Sequence, residues 1–241
     1  MLTDCPKWSW WDLFLVILAL ISLMALAAMF KNPIRNSVNA LGIGKHYLET
    51  FMLLFSTFLQ ATVMVAAVVF VTRRKGATIR DLGLTGNNIV RNIGTGLIGG
   101  LFLGIAIWVL GVILAFIFGP PESQEVERWL VGLKQGKDMI LPFIAISILA
   151  PVSEEIYFRG MVYPVIRGKF GPVLGMILSG LFFGSLHLDL YRLLPISAGG
   201  AVLAYFYEKS ESLVTPIIAH SAWNSLMLFT LFMANKHLAV N

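Results

Sequence analysis

The chain has 241 residues, of which 57% are hydrophobic and 13% are charged. Ordinary globular domains are about 45–50% apolar and about 25% charged, so polar side chains cannot cover the apolar surface of this chain. The composition therefore excludes an ordinary soluble protein, a disordered chain and a fibrous repeat, and it indicates a protein that folds in lipid. The single cysteine, Cys5, excludes an internal disulfide and a zinc site built from several cysteines.

The net charge of +5 is spread between apolar runs instead of being gathered in one segment. This pattern does not predict a nucleic-acid partner, which needs basic residues on one folded face. It is typical of cationic loops that rest on anionic lipid headgroups, so the bilayer is the expected partner.

Seven runs contain no Asp, Glu, Lys or Arg: residues 13–30, 50–72, 92–121, 139–153, 170–188, 193–207 and 212–235. A membrane-spanning helix needs about 20 apolar residues, and backbone in hydrocarbon must bond to itself, so the runs predict helices and not barrel strands. Two runs are short. The run 139–153 reaches full length only if it continues through the acidic pair that follows, and 193–207 needs tilting or shielding by neighbours.

The expected fold is an all-α polytopic transmembrane bundle of about seven to eight helices, forming a single integral membrane domain over residues 1–241. An eighth span requires that 92–121 or 32–48 fold back. The first run is too long for a signal-peptide core, so we expect it to be a span. The loop 73–91 carries five basic residues and is predicted to lie in the cytoplasm, which places the N-terminus there too, in a multi-pass protein of the cell membrane.

Glycine is frequent in the third run, and we interpret it as close packing between helices through small residues. The positions are Gly94, Gly96, Gly99, Gly100, Gly104 and Gly111.

Ionisable residues within the apolar part of the chain are few, and a charge in a membrane costs at least ~2.5–3.5 kcal/mol. They fall in three short motifs on different predicted spans: Glu154 and Glu155 with Arg159, then Phe183 with His187, then His220 with Asn224. Both Glu154 to His187 and His187 to His220 are separated by 33 positions. The three spans can therefore converge on one buried site.

The local spacings predict how these side chains are oriented. Glu155 and Arg159 are four residues apart and share a helix face, where they can pair. Glu154 is rotated by about 100° from Glu155, which leaves it available for chemistry. His220 and Asn224 are also four apart, so both point into the same space, and Phe183 lies one turn before His187.

These residue types suit the hydrolysis of an amide by direct attack of water. A carboxylate and an imidazole can hold a water and take its proton, and a second imidazole with an amide can donate hydrogen bonds to an oxyanion. The sequence has no Gly-x-Ser-x-Gly elbow and no His-Glu-x-x-His helix, and Cys5 precedes the first span. Each motif alone also has a structural explanation, as an interfacial ion pair or an interhelical hydrogen bond.

The three motifs in this order resemble the type II CAAX prenyl endopeptidase family, also known as the CPBP or Abi group of intramembrane proteases. The family pattern is Glu-Glu-x-x-x-Arg, Phe-x-x-x-His and His-x-x-x-Asn/Asp, and the resemblance covers about residues 140–228. Residues 198–224 and the loop 79–84 also read like the family.

The resemblance implies a role for each matching residue. Glu154 would be the general base on water, helped by His187, and His220 and Asn224 would form the oxyanion hole. Glu155, Arg159 and Phe183 would support them. Members of the family have also been described as metalloproteases, and Glu154, His187 and His220 are a plausible zinc ligand set. The resemblance favours the metal-free glutamate mechanism, with no cofactor, and zinc remains the alternative.

We therefore predict an intramembrane endopeptidase with a catalytic core at about residues 139–235, acting on membrane-anchored or prenylated peptides. A non-catalytic immunity, sensor or regulatory protein on the same scaffold is the alternative. A transporter ranks third, because it predicts a repeat or paired broken helices that the sequence lacks.

One conflict concerns depth in the membrane. If the run 139–153 is a complete span, Glu154 lies about 22 Å along it, and His187 lies about 24 Å along the next, oppositely directed run. The two side chains would then sit at different depths. We expect a longer fourth helix that runs past Gly160 towards Pro164, with Glu154 near its middle.

Overall fold

The computed structural model describes residues 6–41, 45–131, 133 and 136–240, so Cys5 lies outside the described residues. Within these ranges every regular element is helical and no strand occurs. The α-helices are α1 (Trp10–Ala40), α2 (Lys45–Arg74), α3 (Ile89–Phe118), α4 (Glu125–Val131), α5 (Ile140–Ile144), α6 (Ala150–Tyr157), α7 (Tyr163–Ser185), α8 (Leu190–Ser210) and α9 (Val214–Val240). A 3-10 turn covers Gly136–Met139, and π turns cover Ala145–Leu149 and Phe158–Val162. The predicted all-α bundle is confirmed.

Five stretches of the described chain are long and apolar enough to cross a membrane: Trp10–Val38, Tyr47–Arg74, Ile89–Phe118, Ile140–Ser185 and Val214–Met233. The protein is a multi-pass membrane protein, and large apolar side chains such as Phe102, Phe116 and Val90 are exposed on its outside. The described residues show no eighth span, because α3 is one uninterrupted helix and α1 continues to Ala40.

The stretch Ile140–Ser185 has 46 residues and contains two antiparallel helices. Gly171 has φ 79° and ψ 170°, a conformation that glycine adopts without strain, and Pro172 follows it. A Cβ placed on Gly175 would lie 3.0 Å from the Cα of Arg167, so the chain after Gly171 returns along the residues before it. We call residues 140–170 the fourth helix and residues 172–185 the returning arm.

This hairpin brings Glu154 and His187 to similar depths. The fourth helix is continuous through its two π turns and places Glu154 near its middle, as we expected from the sequence. At 1.5 Å per residue, Glu154 and His187 both lie about 24–26 Å from the turn at Gly171. The conflict arose from ending the helix at Ser153, because a charged pair was taken as a boundary of the apolar segment.

Helix α8 is too polar to qualify as a span by composition, yet it lies inside the bundle. Its buried residues are mostly small, and it packs tightly on the returning arm, where a Cβ on Gly180 would lie 2.5 Å from the carbonyl oxygen of Ser197. Neighbouring helices therefore cover the small-residue face of α8, while Leu194 and Tyr205 are exposed on its outside, so the shielding expected for the run 193–207 is found on one face.

Glycines of α3 allow it to pack closely along α9. Added Cβ atoms at Gly96, Gly100 and Gly104 would meet α9, and one at Gly99 would meet Phe206 of α8. No described atom lies within 4 Å of the corresponding positions at Gly94 and Gly111. The packing interpretation is therefore confirmed for four of the six glycines.

The bundle has two distinct ends. At the first, which we call the basic end, the loop 75–88 contacts the turn between α8 and α9: the N–H of Leu213 donates to the Gly83 oxygen and the Tyr207 hydroxyl to the Leu82 oxygen. At the opposite end, which we call the mouth end, the segment 119–131 contacts the turn 186–189 and the start of α8, and the Tyr191 hydroxyl donates to the Gly119 oxygen.

Candidate active site

The acidic pair lies on α6, between the two π turns of the fourth helix. Its two carboxylates occupy different environments, as the spacing predicts. The Glu155 side chain is 0% exposed, whereas that of Glu154 is 21% exposed and lines a cavity. π turns inside α-helices are found frequently at functional sites, and here they flank the helix that carries both glutamates.

Glu155 is the centre of a buried ionic network. Its Oε1 accepts a hydrogen bond from Nη1 of Arg159 at 2.6 Å and lies 2.7 Å from Nδ1 of His220. The guanidinium of Arg159 also donates through Nη2 to the carbonyl oxygen of Gly200 at 2.8 Å and lies 4.9 Å from the ring centroid of Phe183. Among the described residues, Oε2 of Glu155 has no hydrogen-bond partner. The supporting residues predicted from the sequence thus fix the orientation of His220.

The other nitrogen of His220 faces Glu154. Its Nε2 lies 3.9 Å from Oε2 of Glu154, which is too long for a hydrogen bond but brings the two groups within electrostatic contact. The indole of Trp223 lies beside the imidazole, with ring centroids 5.5 Å apart. Since a carboxylate only accepts, Nδ1 of His220 carries a proton, and Nε2 donates a hydrogen bond only when the ring is an imidazolium.

His187 comes directly after the returning arm, and its Nδ1 lies 3.0 Å from the carbonyl oxygen of Phe183. A carbonyl oxygen only accepts, so Nδ1 of His187 carries the proton and Nε2 of the neutral ring has a free lone pair. Leu188 follows with φ 53°, a conformation that is uncommon for leucine and ends the arm sharply. This turn holds His187 at the cavity wall.

Phe183 separates the two imidazoles from the core. Its ring centroid lies 4.9 Å from that of His187 and 5.8 Å from that of His220, in edge-to-face geometry. Phe183 is 1% exposed, so it forms a rigid wall between the two rings and the guanidinium behind it.

Asn224 also lines the cavity, and its Nδ2 donates to the carbonyl oxygen of Ile146 at 2.9 Å. No feature of the sequence predicted this bond. Ile146 lies in the first π turn, 78 positions earlier in the chain, and nothing in its identity distinguishes its carbonyl from others. An amide nitrogen has two hydrogens, so Asn224 retains a second donor.

The cavity has a volume of about 780 Å³ and contains Glu154, Phe183, His187, His220 and Asn224 in its wall. Part of its lining is half-exposed and apolar, including Trp108 and Val112 of α3. In the described chain α3 packs on α9 and α8, whereas α2 packs on α1 and the fourth helix. Helices α2 and α3 make few contacts with each other. The cavity wall includes Thr57 of α2 as well, so the cavity extends towards the gap between these two helices.

At the mouth end the cavity has a polar rim that sequence analysis missed. Nη2 of Arg192 donates to both carboxylate oxygens of Glu127 at 2.9 and 3.1 Å, and Nη1 donates to Asp189 at 2.5 Å. Burial raises the pKa of Asp189, but hydrogen bonds from Arg192 and Gln124 outweigh it and hold the pKa below its usual value. The signal available was the i, i+3 spacing of Asp189 and Arg192, a helix N-cap pattern.

The described residues include no group of three His, Cys, Asp or Glu side chains close enough to hold a metal ion. Glu154, His187 and His220 therefore do not appear as such a group among the described residues, and metal dependence stays a prediction. Both imidazoles direct Nδ1 to an oxygen atom, His220 to Glu155 and His187 to the Phe183 carbonyl, an arrangement that metal-ligating histidines also have, so these contacts do not discriminate between the two mechanisms.

Comparison with known proteins supports the resemblance found in the motifs. Residues 136–226 match the family described as type II CAAX prenyl endopeptidase Rce1-like, which confirms the resemblance over the segment that contains every predicted site residue. The chain is 28% identical over 120 residues to "Putative membrane peptidase YdiL" of Bacillus subtilis (strain 168), covering 50% of this chain and 48% of the relative.

A second relative has a different description. The chain is 25% identical over 216 residues to "Putative multidrug resistance protein MdtD" of Escherichia coli O81 (strain ED1a), covering 89% of this chain and 41% of the relative. The chain thus spans about half the length, or less, of these curated relatives. No solved structure matches it.

Proposed function

We propose that this chain, whose residues 136–226 match the type II CAAX prenyl endopeptidase family, is an intramembrane endopeptidase of the glutamate type. The observation that carries the proposal is the difference between the two glutamates. Glu155 is committed to Arg159 and His220, while Glu154 faces the cavity together with His187, His220 and Asn224. A free carboxylate beside donors on the opposite wall is the arrangement that water-mediated amide hydrolysis needs.

In the proposed reaction a water bound between Glu154 and Nε2 of His187 loses a proton to Glu154 and attacks the carbonyl carbon of the scissile bond. The carbonyl oxygen becomes an oxyanion, which accepts hydrogen bonds from Nε2–H of the His220 imidazolium and from Asn224. Glu155 stabilises that imidazolium through Nδ1. Glu154 then returns the proton to the amine as the C–N bond breaks, so the carboxylate is regenerated.

The half-exposed apolar wall favours a substrate that reaches the site from the bilayer. A prenyl chain or an apolar segment of a membrane-anchored peptide fits between α2 and α3, where it would remain in lipid while the peptide enters the cavity. A peptide held in this way presents its scissile carbonyl to the water in a fixed geometry, which lowers the entropic cost of the attack.

We also propose that the basic end faces the cytoplasm of the cell, on the bias of Lys and Arg towards the cytoplasmic side. Residues 73–91 hold five of the basic residues and lie at that end. The polar rim would then face the other side of the membrane.

The test is cleavage by purified protein in detergent, given a farnesylated C-terminal peptide and unmodified membrane peptides. We expect cleavage of at least one class, and none after Glu154→Ala in a variant that keeps the wild-type melting temperature. Glu122→Ala, an exposed glutamate outside the cavity lining, is the matched control and should retain full activity. Full activity of a folded Glu154→Ala protein would contradict the mechanism.

A transporter is the second candidate, because the similarity to the multidrug resistance protein extends over most of the chain. Long apolar helices of unrelated membrane proteins share many identical residues through composition alone, so this similarity weighs less than a match that includes all three motifs. Substrate transport into vesicles that survives Glu154→Ala, in a protein that cleaves none of the peptides, would favour the transporter.

A further inference from the structure

The first π turn of the fourth helix leaves one backbone carbonyl without a donor from its own helix. The N–H of Ala150 donates to the oxygen of Ala145, five residues earlier. In this pattern the oxygen of Ile146 should accept from residue 151. Residue 151 is proline, which has no N–H. Within the described helix, the carbonyl of Ile146 therefore lacks a backbone partner.

Asn224 supplies the missing donor from α9, through Nδ2 at 2.9 Å from the Ile146 oxygen. Because a carbonyl oxygen only accepts, the NH₂ side of the amide must face it, and this bond fixes which way round the amide lies. The bond is part-buried, and a carbonyl shielded from water is costly to leave unpaired, so the bond also holds α9 against the fourth helix at the level of the cavity.

We propose that Pro151 is a positioning residue. It has no N–H to donate to the Ile146 oxygen, so the amide of Asn224 donates there instead. This bond keeps the amide oriented with its second N–H available to the oxyanion. The catalytic part of this role rests on the proposed function, in which Asn224 donates to that oxyanion. A substitution that restores an N–H at residue 151 would compete with Asn224 for the Ile146 oxygen. The amide would then lose its fixed orientation without any change to Asn224 itself.

A purely structural role for Pro151, as a bend in the helix, gives a different expectation. In that case Pro151→Ala and Asn224→Ala would act independently, and their effects on melting temperature and on turnover would add. Competition for one carbonyl makes the two substitutions interdependent, which a double-mutant cycle detects.

The first measurement is melting temperature in detergent, which requires no activity. The proteins are the wild type, Pro151→Ala, Asn224→Ala and the double variant, with Pro151→Ser as a second way to restore the N–H. We expect Asn224→Ala to lower the melting temperature clearly in the wild type and much less in the Pro151→Ala background, because there the backbone satisfies Ile146. Pro142→Ala, at a buried proline of α5, is the matched control and should leave the effect of Asn224→Ala unchanged.

The second measurement is turnover on the cleaved peptide. We expect Pro151→Ala to lower kcat by about tenfold with little change in KM, and Asn224→Ala by roughly 10²–10³-fold. The double variant should be no slower than Asn224→Ala alone. Pro142→Ala should leave kcat unchanged.

The outcomes separate the two proposals. Additive melting temperatures would overturn the role of Pro151 whatever the protein cleaves. Coupled melting temperatures in a wild-type protein that cleaves none of the peptides would overturn the proposed function, and with it the catalytic part of the role. Coupled melting temperatures with additive effects on kcat would show that Pro151 holds α9 in place but does not orient the amide for catalysis, which also overturns the proposal.

Discussion

The ion pair of Glu155 and Arg159 is almost completely buried, with side-chain exposures of 0% and 2%. Removing Glu155 leaves the Arg159 guanidinium without a carboxylate, and removing Arg159 leaves Glu155 with His220 alone; breaking a buried pair in this way costs about 3–5 kcal/mol. We therefore expect Glu155→Ala and Arg159→Ala each to lower the melting temperature strongly and to lower activity through the misplacement of His220. The double variant should lose less stability than the sum of the two, because neither charge of the pair is left behind without the other.

Arg35 and Glu49 provide a control for this prediction. They form an ion pair of similar length, 2.7 Å, but their side chains are 34% and 25% exposed. Partly exposed pairs contribute about 0–1 kcal/mol, so Arg35→Ala should change the melting temperature little. Equal losses from Arg35→Ala and Arg159→Ala would mean that burial does not govern the strength of the central pair.

Whether the enzyme depends on zinc can also be tested at single residues. A glutamate-type enzyme should keep its activity after extended chelation, and elemental analysis should find no stoichiometric zinc. Zinc bound at about one ion per chain in the wild type, and lost from both His187→Ala and His220→Ala, would instead make the protein a metalloprotease. Asn224→Ala is the useful comparison, since an amide is an unlikely zinc ligand and its loss should lower kcat in either case.

At the scale of elements, the close approach of α3 to α9 determines where His220 lies. A Cβ on Gly100 would lie 2.3 Å from the carbonyl oxygen and 2.6 Å from the Cα of Ala219, the residue before His220. Both are backbone atoms and cannot move alone, so Gly100→Ala must push the two helices apart. We expect a lower melting temperature and lower activity, measured on the same preparation.

Gly94 of the same helix is the matched control. No described atom lies within 4 Å of a Cβ at this position, and alanine is favoured over glycine in a helix by roughly 0.5–1 kcal/mol. Gly94→Ala should leave activity unchanged and the melting temperature equal or slightly higher. If Gly100→Ala were as harmless as Gly94→Ala, the tight α3–α9 contact would be wrong.

At the scale of the whole molecule, the orientation of the bundle determines from which side a peptide reaches the cavity. The proposal that the basic end is cytoplasmic can be tested with single cysteines in a Cys5→Ser background, since Cys5 is the only cysteine in the chain. An impermeant maleimide added to intact cells should label Glu122→Cys at the mouth end and should label Arg80→Cys only after the membrane is opened.

The reverse labelling pattern would place the cavity mouth in the cytoplasm. A peptide would then reach the polar rim from inside the cell, and the charge-based orientation would be wrong.

Much of this protein was predictable from the sequence because lipid imposes severe constraints. Long runs without charge must be helices, and the few ionisable residues inside them need partners. The sequence by itself therefore determined the bundle, the two faces of the acidic pair and five of the residues that line the cavity. The pairing of Glu155 with Arg159 followed from helical spacing alone. Close packing at the glycines of α3 was likewise predictable, because small residues are enriched at helix contacts in membranes.

Tertiary structure alone decided which groups complete the site. Periodicity assigns a residue to a face of its helix but does not identify what that face meets, so the bonds from His220 to Glu155 and from Asn224 to the Ile146 carbonyl were not predictable. The apolar run ends at Ser153, although the helix continues to Phe170. A charge pair buried between helices has the same local sequence as one at the membrane–water interface, so the run alone does not show where the helix ends. Only the return of the chain at Gly171, where glycine permits a positive φ, brings Glu154 and His187 to one depth and makes a single cavity of three distant motifs.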